Sequence, residues 1–349
     1  MKVIIPLAGF GTRLRPHTYT KPKPLVNVAG KPVLGHILDK LEGMDIEEII
    51  FITGYLGDKI EQYVSQNYDF PARYVEQKEL KGQAHAIWLA REHVAGPVLI
   101  IFVDTIFEAD LKPLEQLTSD GVIFVKEVED PRRFGVVTIQ DGVITRFVEK
   151  PSEPISNLAV IGVYYLKDAK HLFTCIDELI ARNIQTKGEY FLADALQLMV
   201  EQGARLNAWP VEVWEDCGTP EAVLHTNRYL LEKVSHQEPM PNSCIVVPPA
   251  YVHPTARIEH SVIGPYVYIG AHCHVEFSIV GPYVSLADKG EIHRSLVNDS
   301  IINQGAHIEN AMLTRSLIGD EARVRGSFES LNVGDSSQVD SAAGLVPHL

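Results

Sequence analysis

No stretch of the chain holds about 18 consecutive apolar residues, so its sequence encodes no bilayer-spanning helix. The first apolar run, residues 3–5, breaks off at Gly9 and is too short for the core of a signal peptide. Cysteine is sparse and scattered: Cys175, Cys217, Cys244 and Cys273 form no C-x-x-C pair. That spacing argues against a disulfide framework or a zinc knuckle and reads as reduced thiols in a cytoplasmic protein. Positive charge is also in the minority. Lys+Arg 31 against Asp+Glu 45 gives a net charge of -14, which leaves no broad positive field for nucleic acid or an anionic membrane. Any anionic ligand must be gripped locally. The dinucleotide fingerprint G-x-G-x-x-G fails because Leu14 stands where its last glycine would, and the P-loop pattern G-x-x-x-x-G-K-[ST] is missing altogether.

What is present divides the chain in two. With 349 residues and 46% hydrophobic content it can bury more than one core. Up to residue 232, strand-length apolar runs ("KVIIPLA", "EEIIFIT", "ARYVEQ", "PVLIIFVD") alternate with stretches of helical period ("VLGHILDKLEGM", "LGDKIEQYVSQ", "GQAHAIWLAREHV"). This predicts an α/β, Rossmann-like domain with a mainly parallel sheet, helices on both faces and ligands at the carboxyl ends of the strands. A polar, proline-containing linker, 233–245, leads into residues 246–335, where aliphatic side chains recur at steps of six. Val252 and Ile258, then Ile263, Ile269 and Val275, then Ile302 and Ile308, then Ile318 and Val324 follow that step, which predicts a parallel β-helix of hexapeptide repeats. Residues 336–349 read as a tail.

At the end of the first strand lies "PLAGFGTRLRPHTYTKPKPL". Gly9 and Gly11 make a turn whose backbone N–H groups can approach a phosphate, Arg13 adds a bidentate grip, and Lys23 adds a point charge. Prolines 16, 22 and 24 stiffen the loop, so its cations need less ordering when an anion arrives.

The longer stretch "AGFGTRLRPHTYTKPKPLVNVAGKPVL" resembles the signature of sugar-1-phosphate nucleotidylyltransferases, especially long-type glucose-1-phosphate thymidylyltransferases with a C-terminal left-handed β-helix. "EQKELKGQAHAI", "FVDTIFEADL", "FGVV", "VEKP", "NLAVIGVYYL", "GEYFLADAL" and "WEDCGTPEAVLHTNRYLL" continue the resemblance in family order along nearly the whole chain. It implies attack by a sugar-1-phosphate oxygen on the α-phosphorus of a nucleoside triphosphate, releasing pyrophosphate. The attacking phosphate is already ionised, so positioning and charge neutralisation carry such a reaction without a general base.

The resemblance also implies roles. Arg13, Lys23 and Asp104 are the expected catalytic residues, with Asp104 and Asp216 holding Mg2+ as cofactor. Ala8, Gly9, Gly11 and Thr12 would wrap the nucleotide, while Gln77 and Gly82 read its base. A side-chain amide complements the edge of thymine or uracil, so dTTP and UTP remain equal expectations at this point. Glu149 would accept from sugar hydroxyls and Lys150 would contact the sugar phosphate, with Gly135, Asn157 and Gly162 completing that pocket. The expected partners are these two substrates and further copies of the chain.

Two departures stand out. Val103 occupies a position where the family usually has glycine, and the opening loop lacks one residue of the usual A-G-G-x-G-T-R, a shorter form shared by uridylyltransferases. Two other functions compete with the leading one. One is a bifunctional enzyme whose β-helix transfers an acyl group with His253, His293 or His307 as base; the other is a catalytically silent regulatory subunit.

Overall fold

The computed structural model describes residues 1–117, 119–153, 155–186, 188–235 and 244–327. Most of the expected linker and all of the expected tail lie outside them, as do the last residues assigned to the β-helix.

The first region contains strands β1 (Lys2–Pro6), β2 (Asn27–Val28), β3 (Lys31–Pro32), β4 (Glu48–Thr53), β5 (Ala72–Glu76), β6 (Val98–Ile101), β7 (Thr105–Glu108), β8 (Gly121–Glu127), β9 (Gly135–Gln140), β10 (Val143–Glu149), β11 (Leu158–Leu166), β12 (Leu206–Pro210) and β13 (Val213–Asp216). Its helices are α1 (Val33–Asp39), α2 (Gly57–Asn67), α3 (Gln83–Trp88), α4 (Ala169–Ala181), α5 (Leu192–Glu201) and α6 (Pro220–Leu231). Nine strands form one sheet in the order β5-β4-β1-β6-β11-β8-β12-β10-β9.

The expectation of a mainly parallel sheet holds only for part of it. β5, β4, β1 and β6 run parallel, but β11 pairs antiparallel with both β6 and β8, and β10 pairs antiparallel with β9 and β12. The reason lies in the connections. The early strands are separated by helices long enough for crossovers, whereas β9 and β10 are joined by a short turn at Asp141 and Gly142, which permits only antiparallel pairing. Side chains alternate between two cores. Val3 and Ile5 face one with Ile49, Phe51, Leu99 and Ile101, while Ile4 faces the other with Ile50, Ile52, Val98 and Ile100. Strands buried on both faces read as continuous apolar runs, as "KVII" and "VLII" do. β1 has β4 on one side and β6 on the other, so the loop leaving its carboxyl end emerges at a topological switch point.

The second region consists of three five-stranded parallel sheets visited in rotation, the arrangement of a parallel β-helix. Ile258, Ile263, Ile269, Val275, Ile302 and Ile308 point inward and are fully or almost fully buried, as the six-residue step predicts. Chain direction changes at corners, several of which place a non-glycine residue at positive φ, among them His260, Tyr266, Phe277, Tyr283 and Asn310.

The two regions share a packed boundary. Ile301 joins the core that contains Leu14, Leu25 and Val28, and Leu317 packs against it. Arg228 on α6 pairs with Asp299, the Asn227 side chain accepts from Ser285 Oγ and from the Ala29 backbone, and Asn27 donates to Asn303. Lys21 of the opening loop reaches Asp320 at 2.8 Å, so the last described coil touches the segment that carries Arg13 and Lys23.

Candidate active site

A cleft opens at the carboxyl ends of β1 and β6 and divides into two cavities, of about 380 Å³ and 210 Å³. Arg13, Gln83, Phe102 and Asp104 line both, which makes the cavities lobes of one site. The larger lobe is lined by Ala8, Gly9, Gly11, Thr12, Lys23, Gln77 and Gly82. The smaller is lined by Gly135, Glu149, Lys150, Gly162 and Asp216. Every residue expected at the site is thus on its wall except Asn157, which is exposed just before β11 and lines neither lobe. Its backbone carbonyl accepts from Val128, so its position is set by strand pairing rather than by the cleft.

The opening loop is shaped around its cations. Gly11 has φ +59, and a Cβ there would come within 2.9 Å of the Lys23 Cβ, so only glycine lets the lysine stem pass this close. Thr18 locks the turn by donating to the Gly11 carbonyl at 2.8 Å. Lys23 Nζ lies 3.5 Å from Asp104 Oδ2 and is the more buried of the pair. Arg13 is exposed and, among the described residues, has no ion-pair partner. An unpaired guanidinium fork is therefore presented where the two lobes meet.

The carboxylates come together through the β7–β13 ribbon, whose register places Asp216 opposite Thr105, the residue after Asp104. The Cys217 N–H also donates to the Asp104 carbonyl at 2.8 Å. Val103 does not disturb this path: its side chain packs into the core, and the Asp104 side chain remains half exposed at the cleft. Among the described residues no group of three or more His, Cys, Asp or Glu is placed to hold a metal. Two carboxylates in a cleft suited to phosphate fit Mg2+, which takes few protein ligands and completes its shell with water and phosphate oxygens. The neighbouring Cys217 is no nucleophile, because burial pushes its thiol up to about 12.

In the smaller lobe, Glu149 ends β10 and Lys150 follows it, and in an extended chain the two would point to opposite faces. Lys150 has φ 44, which turns its side chain, and the two meet at 3.3 Å on the same wall. The Lys150 ammonium lies 4.9 Å from the Phe191 ring centre. The sequence reading missed Thr105, Arg133, Phe134, Tyr164 and Trp214 on this wall. Thr105 Oγ1 and Trp214 Nε1 are buried with no hydrogen-bond partner among the described residues. Buried polar atoms are normally satisfied, so these two are exceptions beside the cleft. The only sequence signal was proximity: Arg133 lies just before "FGVV" and Trp214 begins "WEDCGT".

In the larger lobe, Gln77 is buried at 6% exposure after β5. Its Nε2 lies 3.1 Å from His85 Nδ1 and 3.4 Å from the Gly82 carbonyl. Gly82 has φ +103, and a Cβ there would strike the Tyr190 carbonyl at 2.6 Å, so this wall also needs glycine. Both of these contacts are made by the amide nitrogen. With its nitrogen so engaged, Gln77 has Oε1 to offer a ligand.

A family model described as nucleotidyl transferase matches residues 2–233. The chain belongs to this family. Among curated relatives, this nucleotidyl transferase is 37% identical over 240 residues to the bifunctional protein GlmU of Methanocaldococcus jannaschii, covering 67% of this chain and 55% of that one. It is 35% identical over 230 residues to the UTP–glucose-1-phosphate uridylyltransferase AglF of Haloferax volcanii, covering 63% of this chain and 93% of that one. The match to the bifunctional proteins thus spans about half of their length. Among solved structures, a UDP-glucose pyrophosphorylase complexed with UDP-glucose superposes with TM-score 0.59 at 26% identity, covering 66% of this chain and 98% of that one. A putative glucose-1-phosphate thymidylyltransferase from Bacillus anthracis gives TM-score 0.59 at 30% identity, covering 68% and 98%.

Proposed function

We propose that this nucleotidyl transferase joins a sugar-1-phosphate, glucose-1-phosphate in the first instance, to dTTP or UTP and releases pyrophosphate. The observation that carries the reading is the two-lobed cleft with Arg13 and Asp104 at the junction, where a triphosphate in one lobe and a sugar phosphate in the other would meet. The names of the uridylyltransferase and thymidylyltransferase relatives support it.

Each residue then has a task. Ala8, Gly9, Gly11 and Thr12 surround the nucleotide, and Gln77 with Gly82 meets the base. Arg13 neutralises the pyrophosphate as it leaves, and Lys23 holds the phosphates at the reacting centre. Glu149 accepts from sugar hydroxyls and Lys150 binds the sugar phosphate, while Thr105 and Trp214 gain partners from the sugar. Asp104 and Asp216 would hold Mg2+, which when bound draws charge from the phosphate oxygens and orients them.

The histidines considered for acyl transfer are occupied elsewhere. His253 Nδ1 meets Thr255, His293 lies 3.4 and 3.5 Å from Glu276 and Glu291, and His307 lies 2.9 Å from Glu291. His293 and His307 form part of a surface ladder, and none of the three lines the cleft. A silent subunit would have no use for Arg13, Lys23, Asp104 and Asp216 on one cleft. The coils, read as a left-handed β-helix, serve as a scaffold and oligomer surface. Supporting this, Ile245, Val262, Ile279, Leu296 and Met312 stack in register on one outer face, with Met312 75% exposed.

Pyrophosphate release with glucose-1-phosphate and Mg2+, run in parallel with dTTP, UTP, GTP, ATP and CTP, tests the reading. Turnover confined to dTTP, UTP or both is expected, with chelation by EDTA stopping it. Silence with all five, followed by activity on another sugar-1-phosphate, would move the error to the smaller lobe. Silence with every sugar tried would overturn the reading.

A further inference from the structure

A glutamine amide is a reversible reader. Turning it over exchanges an acceptor for a donor at little cost, so a free Gln77 would greet the N3–H of uracil or thymine with its oxygen and the bare N3 of cytosine with its nitrogen equally well. Selectivity for one pyrimidine class therefore needs something that stops the turn.

The surroundings of Gln77 supply it. The Gly82 carbonyl, 3.4 Å from Nε2, can only accept, so the amide nitrogen must be the atom facing it. The second amide hydrogen then points to His85 Nδ1 at 3.1 Å, which must accept and leaves the ring proton on Nε2. Only a neutral ring can do this. Burial, reinforced by Lys81, lowers the tendency of His85 to take up a second proton. The ring is also braced from behind: Trp88 stacks on it at 5.9 Å, Asp177 accepts from the Trp88 indole N–H at 2.7 Å, and Arg91 lies 3.6 Å over the Trp88 ring. His85 touches Gln77 and lines neither lobe.

We propose that His85 is a positioning residue that, with the Gly82 carbonyl, makes Gln77 directional: both accept from Nε2 and so commit Oε1 to the ligand side, which sets the lobe for pyrimidines that carry N3–H and against cytosine. This rests on the reading above, in which Gln77 meets the base. A cytosine would bring its N3 lone pair against Oε1, and like groups facing each other in a buried site reject the wrong ligand more strongly than a missing hydrogen bond weakens the right one.

The test compares kcat/KM for UTP, dTTP and CTP with glucose-1-phosphate in the full-length wild type and in three variants. His85→Phe keeps a flat ring against Trp88 but removes the acceptor; the preference for UTP over CTP should fall about tenfold, the scale of one hydrogen bond, mainly through KM with kcat nearly held. His85→Asn, whose Oδ1 can stand in for Nδ1, should keep most of the preference. Gln77→Leu should abolish it. Unchanged preference in His85→Phe alongside a lost preference in Gln77→Leu overturns the role of His85 alone. Unchanged preference in Gln77→Leu, or a wild type that uses CTP as well as UTP, overturns the base-reading assignment and this inference with it. Should His85→Phe fail to fold, loss of preference in an active His85→Asn would overturn the proposal equally.

Discussion

The two regions use histidine in opposite ways. In the α/β region His17, His36 and His85 sit where burial makes protonation harder. On the coils His293 and His307 lie among Glu276 and Glu291 in a surface ladder. The first region hides a few polar groups and gives Thr18, Gln77 and Asn227 separate partners that fix their orientation. The second repeats one buried polar device, a ladder in which Ser261, Ser278 and Ser295 bond the backbone of their own and the next coil, and leaves its charged side chains to pair across its surface. One arrangement can discriminate between ligands, and the other can repeat indefinitely. On the proposed reading, chemistry belongs to the irregular region, and the regular region supplies shape.

The sharpest way to break that division is to remove charge from the cleft. Asp104→Asn is predicted to lower kcat about a hundredfold to a thousandfold, the scale of removing one electrostatic interaction with a transition state, while leaving the thermal midpoint within about a degree or two. Near-normal turnover would show that Asp104 is not a site residue. The converse experiment strikes the coils. Ile269→Ala should cost about 2–5 kcal/mol of coil stability, read from denaturant unfolding, with kcat/KM of the folded fraction retained. A matching loss of activity would show that the coils take part in the reaction.

The boundary gives a smaller effect. Arg228→Ala leaves Asp299, only 7% exposed, without its guanidinium partner. About 1–3 kcal/mol should be lost, because half of the arginine is already in water, and calorimetry should show the two regions melting further apart. Smallest is a pH effect. His36 donates from Nε2 to the Val28 carbonyl at 2.9 Å and is held below its ordinary value of 6.5, chiefly by burial. A ring harder to protonate folded than unfolded contributes its full stability above that ordinary value. As pH falls below it, the unfolded chain takes up the proton first and stability is lost. Unfolding midpoints measured from about pH 7 to about pH 5 should drop by a few degrees, and His36→Gln should flatten part of that slope. A rise in midpoint over that range would contradict the sign.

The coils were the more legible region because their rule is local. Ile263, Ile269 and Val275 announce their burial by spacing alone. The strands and helices of the α/β region were equally plain up to β6, yet the antiparallel half of its sheet was not, since pairing direction depends on connections rather than on any one run. "GQAHAIWLAREHV" also promised a longer helix than α3, which stops at Trp88 before a separate short turn at Arg91–His93. At the site, the glycine and charge pattern marked Gly11, Arg13 and Lys23 directly. Asp104 and Asp216 were legible as carboxylates at strand ends that could share a cleft, but the β7–β13 ribbon that joins them in space was not. Trp214 and Thr105 carried no period and no charge. His85 lay inside the segment "EQKELKGQAHAI", but nothing in its spacing from Gln77 signals a hydrogen bond made through a turn that only Gly82 permits.

The central claim is that one cleft transfers a nucleotidyl group to a sugar phosphate. Incubation with glucose-1-phosphate, Mg2+ and UTP or dTTP radiolabelled at the α-phosphorus tests it most directly. The expected result is that label moves into a nucleotide-sugar, with one pyrophosphate released for each molecule formed and about a hundredfold to a thousandfold slower formation by Asp104→Asn. Label that remained in the triphosphate, or that appeared only as nucleoside monophosphate, would contradict it.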